Sequence, residues 1–471
     1  MQLNKKTMFD KKLLAVFVAS VSLSACVATS KKETADNTRS TIEQTLPEIS
    51  DQWVVEAPIA VQEVVWMESF DDPVLTALVQ EALSNNLNLQ ASASGVERAR
   101  AMATQAGAAL KPNVNLSVGG ARSGSLNTSA NTSNSFNAGL QVGWEADIWG
   151  RIRSGAQAAA ASAEAAEADF LFAQYSLAAS TIRAYILAID AKTQTQVATE
   201  SLDILKETLR IVQLQLDNGI GLSQDLALTK SDLATAEAQF ESAKGAERNA
   251  IRSLELLLGR YPGAELKVRN ELPSVPPAPV AGVPSELLER RPDLIAAERR
   301  VAAAFDTVQQ AKTARLPSLS LSGNLGGSSQ SLSDLLDPAN AAWQLGSSLL
   351  APIFDGGQRR AQVEIATADQ EQALANYGQT ALNTFAEVEQ ALDQGLVVAA
   401  QEELLNEAVQ EAEKAYFIAK IRYEAGETSL TDLLSIQQRF ITAKSSYVSV
   451  KRLLIENRVD LNLILGGDWE V

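Results

Sequence analysis

Two stretches of this chain, Gly219-Ile220-Gly221-Leu222-Ser223-Gln224-Asp225-Leu226 and Gly426-Glu427-Thr428-Ser429-Leu430-Thr431-Asp432-Leu433, carry Gly and Asp-Leu at matching places 207 residues apart. Gly150 and Gly357 repeat at the same separation, as do Leu258-Gly259 and Leu465-Gly466. Asn86-Leu87-Asn88-Leu89 meets Arg291-Pro292-Asp293-Leu294, and Lys111-Pro112 meets Leu316-Pro317, both 205 residues on. Coincidences at two neighbouring offsets make the chain a tandem repeat, with the two-residue change placed in a loop. One copy spans 51–259 and the other 284–471. Between them, 260–283 carries Pro262, Pro273, Pro276, Pro277 and Pro279, which predicts an extended connector.

Proline is absent from 113–261 and from 353–471, so long helices are permitted there. Residues 156–218 hold neither Gly nor Pro, and one unbroken helix would reach about 95 Å at 1.5 Å per residue. Leu202, Leu205, Leu209, Val212 and Leu216 recur at coiled-coil spacing, and Val409, Ala412, Tyr416, Ala419 and Tyr423 repeat them. Helix pairs are therefore expected at about 151–259 and 358–466. Each is preceded by a hairpin, at about 112–149 and 317–356. In the first, Val114, Leu116 and Val118 alternate with polar residues, as do Phe136, Ala138, Leu140, Val142 and Trp144 across a polar loop from Ser123 to Ser135. In the second, Leu319, Leu321 and Leu325 face Trp343, Leu345, Leu349, Ala351 and Ile353 across a polar loop near Ser328 to Asn340. The strand length suits an outer membrane. Four strands cannot close a barrel, so either the sheet is soluble or several chains share one barrel.

The N-terminus reads as a processing segment. Lys5, Lys6, Lys11 and Lys12 precede the apolar stretch Leu13–Leu23, too short to span a bilayer, so 1–25 is a secretory signal beginning at Met1 or Met8. Leu23-Ser24-Ala25-Cys26 resembles a lipobox and holds the chain's one Cys, the expected lipidation site. Residues 26–50 then serve as a lipidated tether.

Composition narrows the chemistry. The 471 residues include 40 Lys+Arg against 57 Asp+Glu, no His and one Cys, a net charge of −17. That disfavours nucleic acid, and it removes the commonest general base, zinc sites, structural disulfides and redox pairs. No catalytic residue, cofactor or metal is expected, and the acidic residues read as solvated helix faces.

Several motifs, in order, resemble the TolC-like outer-membrane factor family and its NodT-type efflux lipoprotein branch. They are Trp66-x3-Phe70-x-Asp72-Pro73-x-Leu75, Trp144-Glu145-x-Asp147-Ile148-Trp149-Gly150-Arg151, Pro284-Ser285-x-Leu287-Leu288-x-Arg290-Arg291-Pro292-Asp293, Ile353-Phe354-Asp355-Gly356-Gly357, and Arg422-Tyr423-x2-Gly426-x5-Asp432-Leu433. The resemblance implies a mainly α fold with β: long coiled-coil α-barrel helices plus four transmembrane strands per chain, in a barrel shared by a homotrimer. It implies a passive outer-membrane conduit working with a periplasmic adaptor and an inner-membrane pump of the RND type, and contact with outer-membrane lipid. A type I protein-secretion duct or a coiled-coil structural lipoprotein remains the alternative. Copper or silver export by a methionine relay is not expected, because only Met67 and Met102 follow the signal. Trp149, Gly150, Phe354 and Gly357 are the expected strand-to-helix junctions. Gly219 and Gly426 are the expected turns at the periplasmic tip, each with Ser or Thr capping the next helix. Asp217, Asp225, Glu424, Glu427 and Asp432 cluster around them, and threefold symmetry would turn these charges into rings. Asp225 and Asp432, at matching repeat positions, are the leading gate candidates.

Overall fold

The computed structural model describes residues 41, 52–55, 68–124, 132–279, 281–335 and 337–467. The signal, Cys26, Trp66 and Met67 lie outside them. Helices α1 (Pro73–Asn85) and α2 (Leu87–Ala108) lead into strands β1 (Asn113–Gly124) and β2 (Thr132–Ala146), then α3 (Arg151–Asp217) and α4 (Ser223–Leu257). After 258–279 and 281–283, which form neither helix nor strand, and two short turns come α5 (Pro292–Thr313), β3 (Ser318–Ser329), β4 (Ala341–Leu350), α6 (Gln358–Glu424) and α7 (Leu430–Ile464). Equivalent helices have equal lengths: 22 residues in α2 and α5, 67 in α3 and α6, and 35 in α4 and α7. The offset changes within the hairpins.

Two compact units emerge, and each draws on both halves of the sequence. The first holds the sheet, the end of α2, most of α5 and the starts of α3 and α6. Here α3 begins earlier than the Gly-free window because Gly155 is accommodated inside it. A Cβ on Gly155 would meet the Gln310 side chain at 2.7 Å, so the missing side chain lets α3 and α5 approach closely. Asp147 starts α3 by accepting from Ile152 N at 3.0 Å and Arg153 N at 2.8 Å. Asp355 repeats this before α6, accepting from Gly357 N at 3.1 Å. The preceding Gly150 (φ +79°) and Gly357 (φ +91°) supply a backbone that other residues rarely adopt.

The second unit carries the largest core. Ile182, Tyr185, Ile186 and Ile189 of α3 are fully buried against Phe70, Leu75 and Val79, the end of α4 and the connector. Burying each such aliphatic chain contributes about 1.5–3 kcal/mol. The described part of the connector forms neither helix nor strand, and it belongs to this core through Val268 and Leu272. Lacking ladder partners, its backbone is satisfied by side chains. Glu255 accepts from the N–H groups of Ala264, Glu265 and Leu266 at 2.7–3.0 Å. Burial pushes its carboxyl up, but the three backbone donors outweigh that and hold it below the ordinary value. Lys192 Nζ donates to Val268 O.

The repeat is also visible in how the helix ends are tied. Asn86 Nδ2 donates to Leu257 O at 3.0 Å, and Arg291 Nη1, its counterpart, donates to Ile464 O at 3.2 Å. Arg291 is buried, and its guanidinium also donates to Asp293 and Glu387. Desolvation works against its charge, but these two carboxylates overcome it and raise its pKa.

The hairpins differ from their expected limits. β1 and β2 extend into the supposed loop, reaching Gly124 and starting at Thr132. β4 stops at Leu350, leaving Ala351 and Ile353 outside it, because Pro352 has no N–H to continue a ladder.

Candidate functional site

The sheet is antiparallel in the order β1-β2-β3-β4, so β1 and β4 are unpaired edges. Its register brings Leu116, Leu140, Leu325 and Trp343 into one row across all four strands. Val114, Val142, Gly323 and Leu345 form the next row. Strand alternation therefore places Val114, Leu116, Val118, Phe136, Leu140, Val142, Trp144, Leu319, Leu321, Leu325, Trp343, Leu345 and Leu349 on one face, while Ala121, Ala342 and Leu350 fall on the other. That face is open, with Leu116 73% and Trp343 75% exposed. The opposite face carries Asn115, Ser117, Gln141, Asn324 and Gln344 at the intervening positions. A soluble sheet would turn its apolar side onto a core. This one shows apolar residues outward, the alternation of a membrane barrel wall. Among the described residues no helix is long and apolar enough to cross a membrane.

At the strand-to-helix junctions Trp149, half exposed, donates from Nε1 to Pro317 O at 2.8 Å, tying one hairpin to the other. Phe354 is 92% exposed. Arg151, beside Gly150, makes two 2.8 Å hydrogen bonds to Glu145.

The helix turns lie in the second unit. Gly219 (φ +76°) and Gly426 (φ +77°) each end a 67-residue helix in the left-handed region. Ile220 and Gly221 N–H return to Gln215 O, and Glu427 N–H returns to Arg422 O, so both turns close in the same way. They differ at the next helix start. Ser429 caps α7, accepting from Asp432 N at 3.1 Å while its hydroxyl donates to Asp432 Oδ2 at 2.7 Å. Ser223 does not cap α4: it is already the first helical residue, and Leu222 stands at the cap without a side-chain bond.

Val212, Ala419, Tyr423, Leu430 and Leu433 form one cluster, with Leu226 packed on it, so residues from both helix pairs share a core near the turns. Tyr423 donates to Gln215 Oε1 at 2.9 Å, and burial, aided by the charge of Asp225, raises its pKa. Of the expected seam, Leu202, Leu205 and Val212 are buried, and Leu209 and Leu216 only partly so.

The acidic candidates have distinct settings. Asp432 is held below the ordinary carboxylate value by the Ser429 hydroxyl and stays ionised. Asp225 occupies the matching first-turn position in α4. Asp217 accepts from Gln213 Nε2, and Glu427 lies 3.6 Å from Arg422. Glu424 contributes to raising the pKa of Arg210, behind Glu207.

Among the described residues no group of three or more His, Cys, Asp or Glu could hold a metal ion. Sequence reasoning missed the buried anchors Asp72, Glu255 and Arg291. Asp72 and Arg291 stood inside quoted motifs, but their partners are distant in the chain.

The family described as outer membrane efflux protein matches residues 78–260 and 283–467, one segment in each repeat. The chain belongs to this family. It is 31% identical over 416 residues to the pyoverdine export outer membrane protein OpmQ of Pseudomonas aeruginosa, covering 86% of this chain and 87% of that one. It is 28% identical over 430 residues to the cation efflux system protein CusC of Escherichia coli, covering 89% and 92%. The outer-membrane channel OprN superposes with a TM-score of 0.81 at 30% identity, covering 90% of this chain and 99% of that one. The efflux protein thus has a TolC-like fold and is an outer-membrane efflux channel. Its outward apolar sheet and its paired helices are the elements such a channel needs.

Proposed function

We propose that this efflux protein is the outer-membrane component of a tripartite system, a passive conduit carrying small molecules, drugs or other toxic compounds from periplasm to exterior. The observation that carries the reading is the four-stranded sheet with its apolar face outward and two unpaired edges. An open edge is not tolerated in lipid, and three chains would close a twelve-stranded barrel. Helix α6 supports the same assembly, since Leu404, Phe417, Ile418 and Ile421 stand exposed on it, as residues awaiting a neighbouring protomer. The strand ends joined to helices then face the periplasm, where a periplasmic adaptor couples the channel to an inner-membrane pump of the RND type. The name of CusC, cation efflux, supports solute cargo over protein secretion. The chemistry is that of a lining, so no enzymatic activity is assigned.

Asp225 and Asp432, each present three times, are proposed to form acidic rings near the closed tip, favouring cations and repelling anions until the adaptor dilates it. Planar-bilayer recording tests both ideas. The wild type should give discrete channels, and Asp225→Ala with Asp432→Ala should lower cation selectivity or enlarge the closed-state current. Unchanged selectivity and conductance in an intact trimer would leave the two residues only a helix-terminus role. A trimer that forms no channel would overturn the conduit.

Cys26 is proposed to carry the lipid anchor. Val27 rather than Asp follows it, which by resemblance to lipoprotein sorting favours the outer membrane. The wild type should incorporate labelled palmitate and fractionate with the outer membrane, whereas Cys26→Ser should lose the label. A wild type that takes up no label would remove the anchor.

A further inference from the structure

Cations gather at one end of the sheet in an otherwise acidic protein. Lys111 precedes β1, Arg153 lies in the first turn of α3, and Lys312 and Arg315 precede β3, so all four lie just beyond the strand ends that join the helices. Among the described residues none of the four side-chain cations forms an ion pair with a carboxylate within 4 Å, although the Arg153 backbone N–H donates to Asp147, whereas Arg151 and Arg360 nearby pair with Glu145 and Glu364. Arg359 adds a fifth charge. Its Nε lies 3.9 Å from Asp355 and its Nη1 is buried without a hydrogen-bond partner, and its side chain lines a cavity of about 250 Å³ with Glu145, Asp147, Arg151, Trp149 and Pro317. The other end of the sheet has the opposite character, with Asp334 and Asp337 beside the β3–β4 connection and Arg122 as the cation of β1. Exposed Ile353, Phe354 and Trp149 lie at the cationic end, where aromatic and apolar groups meet lipid headgroups.

We infer that this cationic belt is a docking surface for the phosphate of anionic phospholipids in the leaflet that meets the helix-bearing end of the barrel. Two features select that occupant. The belt continues directly from the outward apolar face, so a lipid whose chains lie on Leu321, Leu349 and Trp144 presents its headgroup at the belt's level. The unpaired guanidinium and ammonium groups match a phosphodiester in charge and donors, and basic side chains next to a membrane surface attract anionic headgroups. A threefold assembly would surround the barrel with at least twelve such cations. The inference rests on the membrane-inserted trimer proposed above.

Native mass spectrometry of the full-length protein in mild detergent tests it, with phosphatidylglycerol and phosphatidylcholine of identical acyl chains as probes. The wild-type trimer should retain phosphatidylglycerol in clear preference. The variant Lys111→Gln/Arg153→Gln/Lys312→Gln/Arg315→Gln should retain about tenfold less while remaining trimeric. Arg122→Gln, at the other end, should bind like the wild type, and millimolar inorganic phosphate should not displace the lipid. A wild-type trimer without preference, a quadruple variant with undiminished binding, or displacement by free phosphate would each overturn the lipid assignment. Failure of the wild type to form a trimer would instead overturn the assembly beneath it, and this inference with it.

Discussion

Leu140→Arg is expected to abolish the assembled channel, while Gln141→Arg, one residue along the same strand, is expected to leave it nearly intact. Leu140 lies in the row Leu116, Leu140, Leu325, Trp343, near mid-strand on the outward face, whereas Gln141 points to the polar face. A charged side chain at the bilayer midplane costs about 2–4 kcal/mol in a membrane barrel, and a trimer would incur it three times. The total approaches a whole domain's stability of about 5–15 kcal/mol. The readout is the yield of the proposed trimer in outer-membrane fractions. Equal trimer yields for the two variants would mean that the apolar face does not meet lipid.

Asp72→Ala is expected to destabilise the second unit strongly. Its carboxylate accepts from Val74 N at 3.0 Å and Leu75 N at 3.3 Å to start α1. It also accepts from the buried Tyr185 hydroxyl at 3.0 Å and from Arg269 Nη1 of the connector at 3.2 Å. One group thereby fastens α1, α3 and the connector together. Loss of the cap costs about 1 kcal/mol and the stranded Tyr185 hydroxyl about 1–3 kcal/mol, so a loss of about 3 kcal/mol per chain is expected. Tyr185→Phe removes the hydroxyl without stranding it and should cost about 1 kcal/mol. In denaturant melts the double variant should be less destabilised than the sum of the singles. An Asp72→Ala protein within 1 kcal/mol of wild type would refute this central fastening.

The alternation of Val114, Leu116 and Val118 and the absence of Pro from 113–261 are local patterns, and they were legible because strand and helix periods act over a few residues. The positive φ of Gly219 and Gly426 was legible for the same reason: a left-handed helix end selects Gly by its own backbone sterics. The Ser223 cap misled because both helices start at the same repeat position, Ser223 and Leu430, and the serine stands one place later in the first copy, where Leu222 holds the cap position of Ser429.

By itself the sequence determined the repeat, its matched helices, the hairpins, the Pro-rich connector and the absence of histidine chemistry, since each is written in spacing or residue type along the chain. Only the tertiary structure decided the rest. It aligned the two hairpins so that their apolar faces coincide, and it set Arg291 against Glu387 and Ile464 O. It closed Asp72 onto Tyr185 and Arg269, and it brought Lys111, Arg153, Lys312 and Arg315 from separate segments to one end of a sheet. Those contacts join residues tens to hundreds of positions apart, and the pairing of one distant side chain with another is settled by packing, to which local periodicity is blind.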